Sequence, residues 1–314
     1  MTGRVAAIDC GTNSIRLLIA DVDGSGVHDV HREMRVVRLG QGVDATGRLA
    51  PEAIARTRDA LSDYADLLRQ CGVGRVRMVA TSATRDAANR DEFFDMTAQV
   101  LGAVVPGAVA EVISGTEEAE LSFLGAVAEL GSAAAPFVVV DLGGGSTEVV
   151  VGDRHAEAAY SADVGCVRIT ERCLHSDPPT ADEVAAARAV VRERLDAALR
   201  AVPVERAKTW VGVAGTFTTI AALAQRMTTY DSDAIHLSTV GFDELLPVCD
   251  ELIAMTRKQR AALGPMHEGR VDVIGGGAVV VRELAHELAS RAGISALTVS
   301  EHDILDGVVR ALAG

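Results

Sequence analysis

The sequence predicts an α/β fold built from two related lobes with a ligand cleft between them, on three observations. Apolar, β-branched runs at 137–140 and 149–151 flank a glycine-rich loop, which is typical of a buried β-hairpin with a polar tip. A weaker copy of this pattern occupies 5–19. Strand-like runs then alternate with helical periodicity, and the 48% hydrophobic content supports a folded α/β protein rather than a disordered chain.

The stronger hairpin carries three consecutive glycines between two carboxylates. Glycines without Cβ atoms can turn their N–H groups inward and form a concavity that suits phosphate oxygens. Asp141 and Glu148, at the two ends, would repel a bare anion, so we expect a divalent cation such as Mg²⁺ between them and the phosphate. The phosphate-binding residues predicted in this loop are Gly143, Gly144, Gly145, Ser146 and Thr147.

The hairpin at 5–19 has the same order of residue types and predicts a second phosphate loop. Asp9 aligns with Asp141 and is a further candidate metal ligand from the other lobe. The alternative is that both loops are ordinary hairpin turns with a coincidental aspartate, but tight hairpins favour two-residue turns and both loops look longer. The phosphate-binding residues predicted in the first loop are Gly11, Thr12, Asn13 and Ser14.

Length and charge limit the function classes. A chain of 314 residues can form two domains with separate cores. A formal charge of −14 is a poor match to nucleic-acid binding, so we expect no nucleic-acid partner. Apolar runs stay short of the ~18 residues of a membrane helix, and Asp9 interrupts the N-terminal run, which argues against a signal peptide. We therefore expect a cytoplasmic protein with no membrane partner.

Cysteine and histidine patterns predict neither disulfides nor a transition-metal centre. The five cysteines are an odd number without a CxxC pair, and the eight histidines form no HExxH motif. We expect the cysteines to be reduced thiols in the core.

In the first lobe, the pattern after the first hairpin predicts strands alternating with helices. The expected elements are a strand at Met34–Leu39, a glycine-rich loop at 40–47, a helix from Pro51 to about Gly72, and strands at Arg75–Ala80 and Val109–Ile113.

Arg85 follows the strand at 75–80, within a predicted loop at 81–86. Ligands of open α/β sheets bind outside the carboxyl ends of strands, so Arg85 is a candidate phosphate-binding residue. The alternative is a surface salt bridge to Asp86 or Asp91.

Three glutamates follow the strand at 109–113. Ser114 and Glu117 have the spacing of a capping box, which would use the Glu117 carboxylate in a structural hydrogen bond. Glu118 is rotated by ~100° from Glu117 around the helix and is not used by the cap. From the residues alone, the catalytic carboxylate could be Glu117, Glu118 or Glu120.

The second lobe is predicted to begin in the small, turn-rich segment 131–136. Arg168 could bind phosphate or lie on the surface, and the glycines at 275–277 could approach a nucleotide or pack a helix on its strand. Predicted elements are strands at Ala158–Val164, Thr209–Val213, Val271–Ile274 and Ala296–Val299, and helices at 180–202 with a Thr180–Glu183 capping box, Ile220–Met227, Phe242–Met255, Arg257–Leu263, Ala278–Arg291 and Asp303–Leu312.

These segments resemble the phosphate motifs of the actin, hexokinase and sugar-kinase superfamily. In order, Asp9–Arg16, Ala80–Asp86, Val112–Glu120 and Asp141–Glu148 resemble the exopolyphosphatase and guanosine pentaphosphate phosphatase family, over essentially the whole chain. Departures are Cys10, where an aliphatic residue is usual, and Thr12, where serine is usual.

The resemblance implies two ribonuclease-H-like (actin-like ATPase) lobes at 1–130 and 131–299, with a helix at 300–314 returning to the first lobe. It implies that Glu118 is the catalytic base, that Arg85 contacts the anion and that the protein is a homodimer. The implied activity is release of orthophosphate from the end of linear polyphosphate with Mg²⁺. The rival within the family is removal of the 5′-terminal phosphate of guanosine pentaphosphate.

Two further functions compete with hydrolysis. A sugar-kinase-type phosphotransferase would share the loops but use an aspartate near its acceptor and would not need Glu118. A non-catalytic alarmone or nucleotide sensor would bind without turnover, which the carboxylates argue against. A P-loop NTPase is excluded because GxxxxGK[ST] is absent from the sequence.

Overall fold

The computed structural model describes residues 3–23 and 26–313. The chain divides into two compact units, Met1–Leu121 with Ile304–Gly314, and Ser122–Asp303. Each unit has its own mixed β-sheet with helices packed on it, which confirms the predicted α/β class. Across the described residues, no helix is both long and apolar enough to span a bilayer.

Strands and helices alternate along both units. The first unit contains β1 (Gly3–Cys10), β2 (Ser14–Asp23), β3 (Gly26–Val36), α1 (Val43–Thr46), α2 (Pro51–Gln70), β4 (Arg75–Ala80), α3 (Ser82–Asp86), α4 (Arg90–Gly102), β5 (Ala110–Val112) and the part of α5 (Gly115–Val127) up to Leu121. The second contains β6 (Phe137–Leu142), β7 (Thr147–Gly152), β8 (Ala156–Ala162), α6 (Cys166–Cys173), α7 (Ala181–Ala201), β9 (Thr209–Val213), α8 (Gly215–Ala224), α9 (Ser232–Ile235), β10 (Thr239–Gly241), α10 (Phe242–Ala254), α11 (Arg257–Ala261), α12 (Ile274–Ala292) and β11 (Ala296–Val299). The last helix, α13 (Ile304–Ala313), belongs to the first unit.

The two sheets share one topology. The first has the strand order β3-β2-β1-β4-β5, and the second contains the matching run β8-β7-β6-β9-β11, extended by β10. In both, an antiparallel hairpin and a third antiparallel strand are followed by two parallel strands. The internal similarity predicted from the two hairpins therefore extends to the whole sheet.

The parallel strands of the first unit end level with one another. Cys10 of β1 pairs with Ala80 of β4, which pairs with Val112 of β5. The hairpin tip after β1, helix α3 after β4 and helix α5 after β5 therefore begin at one edge of the sheet, the edge at which α/β sheets bind ligands.

Strand β1 is buried on both faces, and its residues alternate between two apolar clusters. Ala6 and Ile8 pack in the cluster with residues of α2 and α4, whereas Val5 and Ala7 pack with residues of α13. This explains the continuous apolar run of β1, since neither face meets water.

Some predicted elements differ from the structure. The third strand was expected at Met34–Leu39 but spans Gly26–Val36; it lies at the edge of the sheet, where polar residues are tolerated and hide the strand pattern. Helix α3 occupies most of the predicted loop 81–86. Helix α8 begins at Gly215 rather than Ile220. The capping box of α7, Thr180 with Glu183, is confirmed.

The predicted strand Val271–Ile274 is wrong. Helix α12 begins at Ile274, and the three glycines lie in its first turns. A Cβ atom at Gly276 would lie 2.6 Å from the carbonyl oxygen of Cys166, and one at Gly277 would lie 2.7 Å from Cγ2 of Thr216. Glycines at 276 and 277 therefore allow α12 to pack closely on α6 and α8. The expected packing of a helix on its own strand at 271–274 is wrong, and the nucleotide alternative stays a prediction.

Candidate active site

The first hairpin ends in a tip whose carbonyl groups are held by the segment after β3. Gly11 N–H donates to Ser14 O at 3.0 Å, which leaves two residues at the tip and corrects the expectation of a longer loop. The carbonyl of Thr12 accepts from Gly40 N–H at 2.8 Å, and that of Asn13 accepts from Arg38 N–H at 2.8 Å. The backbone of the tip is thus fixed from one side.

The second hairpin repeats this arrangement with a different neighbour. Gly143 N–H donates to Ser146 O at 3.0 Å, as in the first hairpin. The carbonyls of Gly143 and Gly144 accept from backbone amides at the start of α6, at 2.9–3.1 Å. The carbonyl of Gly145 accepts from Arg168 Nε at 2.8 Å, which gives Arg168 a positioning contact that the sequence left open.

These bonds orient the amides of the second tip. Because the N–H and C=O of a trans peptide point in opposite directions, carbonyls directed at α6 leave the following N–H groups directed away from it. Within residues 3–23 and 26–313, the N–H groups of Gly144, Gly145 and Ser146 have no protein acceptor. Three adjacent donors of this kind form a nest that suits an anion.

Gly165 allows α6 to approach the second tip. A Cβ atom there would lie 2.4 Å from Gly144 O and 2.6 Å from Gly145 N. No side chain fits at this position without displacing the tip or α6. The glycine was not identified from the sequence, since only the packing reveals its role.

Two carboxylates lie side by side beneath the second tip. Asp141 and Glu148 are directly paired across β6 and β7, so their side chains share one face of the sheet, and both are buried at 7% and 1% exposure. Asp141 Oδ2 accepts from Ser122 Oγ at 2.5 Å, and Glu148 Oε1 accepts from Ser161 Oγ at 2.7 Å. Neither serine was predicted.

Like charges placed opposite each other in a sheet are destabilising, and burial increases the cost. A divalent cation would offset this repulsion. The donor set of carboxylate oxygens is the one that Mg²⁺ prefers. The residues present therefore fit the cation expected from the sequence.

Asp9 has a different partner from Asp141. It occupies the equivalent position in the first hairpin, but the residue paired with it across the strands is Arg16. Arg16 Nη2 lies 2.6 Å from Asp9 Oδ2, and Arg16 Nε lies 3.0 Å from the same atom. The charge of Asp9 is thus balanced within the first unit.

Burial and partners distinguish the three glutamates near the start of α5. The Glu117 carboxylate accepts from Arg77 Nη2 at 2.6 Å, and the Glu117 N–H donates to Ser114 Oγ at 3.1 Å. The carboxylate therefore forms a surface ion pair instead of the hydrogen bond to the cap backbone that the capping-box spacing predicted. Glu120 is exposed, whereas Glu118 is 8% exposed. Of the three, only Glu118 is a buried carboxylate.

Glu118 is paired with Arg85. Arg85 Nη1 lies 2.7 Å from Glu118 Oε2 and 3.1 Å from the carbonyl oxygen of Ile113. The two residues predicted for the chemistry in this unit are therefore brought together by α3 and α5. The sequence separation of 33 residues explains why this pair was not predicted.

The cysteines near the tips are not poised as nucleophiles. Cys10 and Cys166 are buried, and burial raises the pKa of the Cys10 thiol well above its usual value and that of Cys166 to about 11. Because the thiolate is the reactive form, both are inert thiols near neutral pH. Neither cysteine is therefore a candidate nucleophile.

Comparison with known proteins identifies the family of this chain. The sequence profile described as the Ppx/GppA phosphatase family matches residues 18–311. Exopolyphosphatase 2 of Mycobacterium tuberculosis is 72% identical over 316 residues, covering 99% of both chains. The guanosine-5′-triphosphate,3′-diphosphate pyrophosphatase of Photobacterium profundum is 34% identical over 235 residues, covering 73% of this chain and 45% of that protein.

The solved structures also agree. The crystal structure of an exopolyphosphatase-like protein superposes with a TM-score of 0.94 at 43% identity, covering 99% of this chain and 98% of the other. The resemblance inferred from the four motifs and the predicted actin-like fold class are both confirmed. This chain belongs to the Ppx/GppA phosphatase family.

Proposed function

We propose that this protein is an exopolyphosphatase that hydrolyses the terminal phosphoanhydride of linear polyphosphate. The observation that carries the proposal is the buried pair of Asp141 and Glu148 directly beneath a nest of backbone amides. The acids suit a divalent cation, and the amides suit phosphate oxygens. The name of the 72% identical relative supports polyphosphate as the substrate.

The two glycine tips bind non-bridging phosphate oxygens in this mechanism. The amides at 144–146 act in the second tip, with the side chain of Ser146 beside them, and residues 11–14 act in the first. The Thr147 hydroxyl is fully buried and donates to Val164 O at 2.5 Å, so this predicted phosphate-binding residue has a structural contact instead. Asp141 and Glu148 would hold Mg²⁺, with Asp9 as a further candidate. When bound, the cation neutralises charge on the phosphoryl group, and such electrostatic stabilisation with positioning supplies most of the catalysis in phosphoryl transfer.

Glu118 orients the attacking water and accepts its proton. In the structure this carboxylate is paired with Arg85 at 2.7 Å. A terminal phosphate is a strong bidentate partner for a guanidinium, so substrate can draw Arg85 away from Glu118 and leave the carboxylate available as a base.

Guanosine pentaphosphate is the second candidate substrate. The 34% identical relative is named for a reaction on this compound, and the same residues could remove its 5′-terminal phosphate. We further propose a cytoplasmic homodimer. The family resemblance supports the dimer, and the lack of a membrane-spanning helix among the described residues agrees with this location.

Phosphate release measured with polyphosphates of several lengths, guanosine pentaphosphate and ATP tests the proposal. Each substrate is assayed with Mg²⁺ and with a chelator. We expect release from polyphosphate to be the fastest and to depend on Mg²⁺. Faster release from guanosine pentaphosphate would select the second candidate, and no release from either would contradict the hydrolase assignment.

A further inference from the structure

The second unit contains a cluster of two histidines and a glutamate in the segments that follow α5, α9 and β11. His302 Nδ1 lies 2.9 Å from Glu129 Oε1, and His236 Nε2 lies 3.5 Å from Glu129 Oε2. One ligand atom from each of the three side chains lies within 4.8 Å of the others. We propose that this cluster binds a transition-metal cation of the Zn²⁺ type.

Backbone hydrogen bonds bring the two histidines together. Leu237 N–H donates to Val299 O at 2.7 Å, so the segment after α9 is tied to the end of β11. Ser300 Oγ donates to His302 O at 2.8 Å and accepts from His302 N–H at 3.0 Å. The imidazole rings, with centroids 4.4 Å apart, are thus positioned by the fold.

The donor set suits zinc rather than magnesium. Two imidazole nitrogens with one carboxylate oxygen form a known zinc ligand set that leaves a fourth position open to water. Tetrahedral bonds of about 2.0–2.1 Å place the ligand atoms roughly 3.3 Å apart. The observed contacts of 2.9 and 3.5 Å are made to different oxygens of Glu129. One donor atom from each side chain lies within 4.8 Å of the others, so the three side chains must close by about 1 Å to hold a tetrahedral cation. The cluster is partly exposed, so a cation can enter from solvent.

The hydrogen bonds of His236 predict what changes on binding. Its Nδ1 accepts from Glu301 N–H at 3.2 Å, so in the neutral ring the proton is on Nε2, which faces Glu129. A cation bound at Nε2 displaces this proton, and the neutral ring then carries its proton on Nδ1. The bond from Glu301 N–H is lost, and that amide becomes more exposed to exchange.

The site would cross-link three separate segments of the second unit. Glu129 follows α5, His236 follows α9, and His302 follows β11. Such a link stabilises the folded unit whenever the cation binds it more tightly than the unfolded chain. This inference is independent of the proposed hydrolase activity.

Titration of the untagged full-length protein with Zn²⁺ by calorimetry tests the inference, with excess Mg²⁺ present to occupy the carboxylates at Asp141 and Glu148. We expect one Zn²⁺ per chain. His302→Ala and Glu129→Gln should each weaken binding by at least about 10-fold. His286→Ala is the matched control, since this histidine lies on α12 beside Arg282 and should leave binding unchanged.

Two measurements on the unaltered protein keep the test independent of how the variants fold. With Co²⁺ in place of Zn²⁺, we expect the visible absorption of a four-coordinate site. Hydrogen exchange at the Glu301 amide should accelerate when Zn²⁺ is added. Absence of Zn²⁺ binding, equal binding by His302→Ala and the control, or unchanged exchange at Glu301 would each overturn the proposal.

Discussion

Replacing Gly165 with alanine tests whether hydrolysis depends on the position of the second glycine tip. A Cβ atom at this residue would lie 2.4 Å from Gly144 O, 2.5 Å from Gly144 C and 2.6 Å from Gly145 N. All three neighbours are backbone atoms. Because carbon contacts are optimal at about 3.5–4.0 Å, the tip or the start of α6 must move by roughly 1 Å.

We expect Gly165→Ala to lower the catalytic rate much more than it lowers the free energy of unfolding. Overpacking of this kind costs about 1–3 kcal/mol of unfolding free energy, which corresponds to a decrease of about 2–12 °C in the thermal midpoint. A displacement of about 1 Å in a positioning group can lower the catalytic rate by about 100-fold. We therefore expect a folded variant whose activity falls much further than its stability.

The assay is kcat/KM for phosphate release, measured at a temperature at which thermal unfolding shows every variant to be folded. Gly131→Ala is the matched control in the same unit, since a Cβ atom there would have no neighbour within 4 Å. If Gly165→Ala loses stability but hydrolyses polyphosphate as fast as Gly131→Ala, the tip does not position the substrate and the reasoning is refuted.

Two further predictions concern the buried charges and thiols. Asp141→Asn removes one of the two carboxylates that would hold the cation, so the stabilisation of the protein by Mg²⁺, about 2.7 kcal/mol at 100 times Kd, should be lost. A rise in melting temperature with Mg²⁺ equal to that of the unaltered protein would contradict the metal assignment. Burial raises the pKa of Cys249 from 9.0 to about 12, so its contribution to stability is fully present below pH 9.0 and is lost as the pH rises towards 12. Denaturant titrations across this range should show a shallower decline for Cys249→Ala, and an unchanged slope would rule out this thiol as the cause.

The parts of the site that were predicted from sequence have local signals. Asp141 and Glu148 flank a run of glycines between apolar strands. Because the two residues are paired across the hairpin, their side chains lie on one face of the sheet. The likeness of the two hairpins predicted two related lobes. These features depend on residues within about one hairpin of each other.

The features of the fold and the site that were not predicted depend on contacts between residues far apart in the sequence. Arg85 and Glu118 meet because β4 and β5 are neighbouring parallel strands, and no spacing in the sequence encodes that pairing. Glycines after an apolar run suggested a strand and turn at 271–277, but they are required by the packing of α12 on α6.

The histidine cluster was missed for the same reason. The three residues form no short metal-binding motif, because Glu129 and His302 lie far apart in the sequence and meet only through the fold.

The central claim is that Glu118 activates water for attack on a phosphate held by the glycine tips. Single-turnover phosphate release from polyphosphate by Glu118→Gln, compared with Glu120→Gln on the same helix, tests it most directly. We predict a fall of about 10²–10⁴ in rate for Glu118→Gln with substrate affinity nearly unchanged, and near-normal hydrolysis by Glu120→Gln. Retention of most activity by Glu118→Gln would contradict the account.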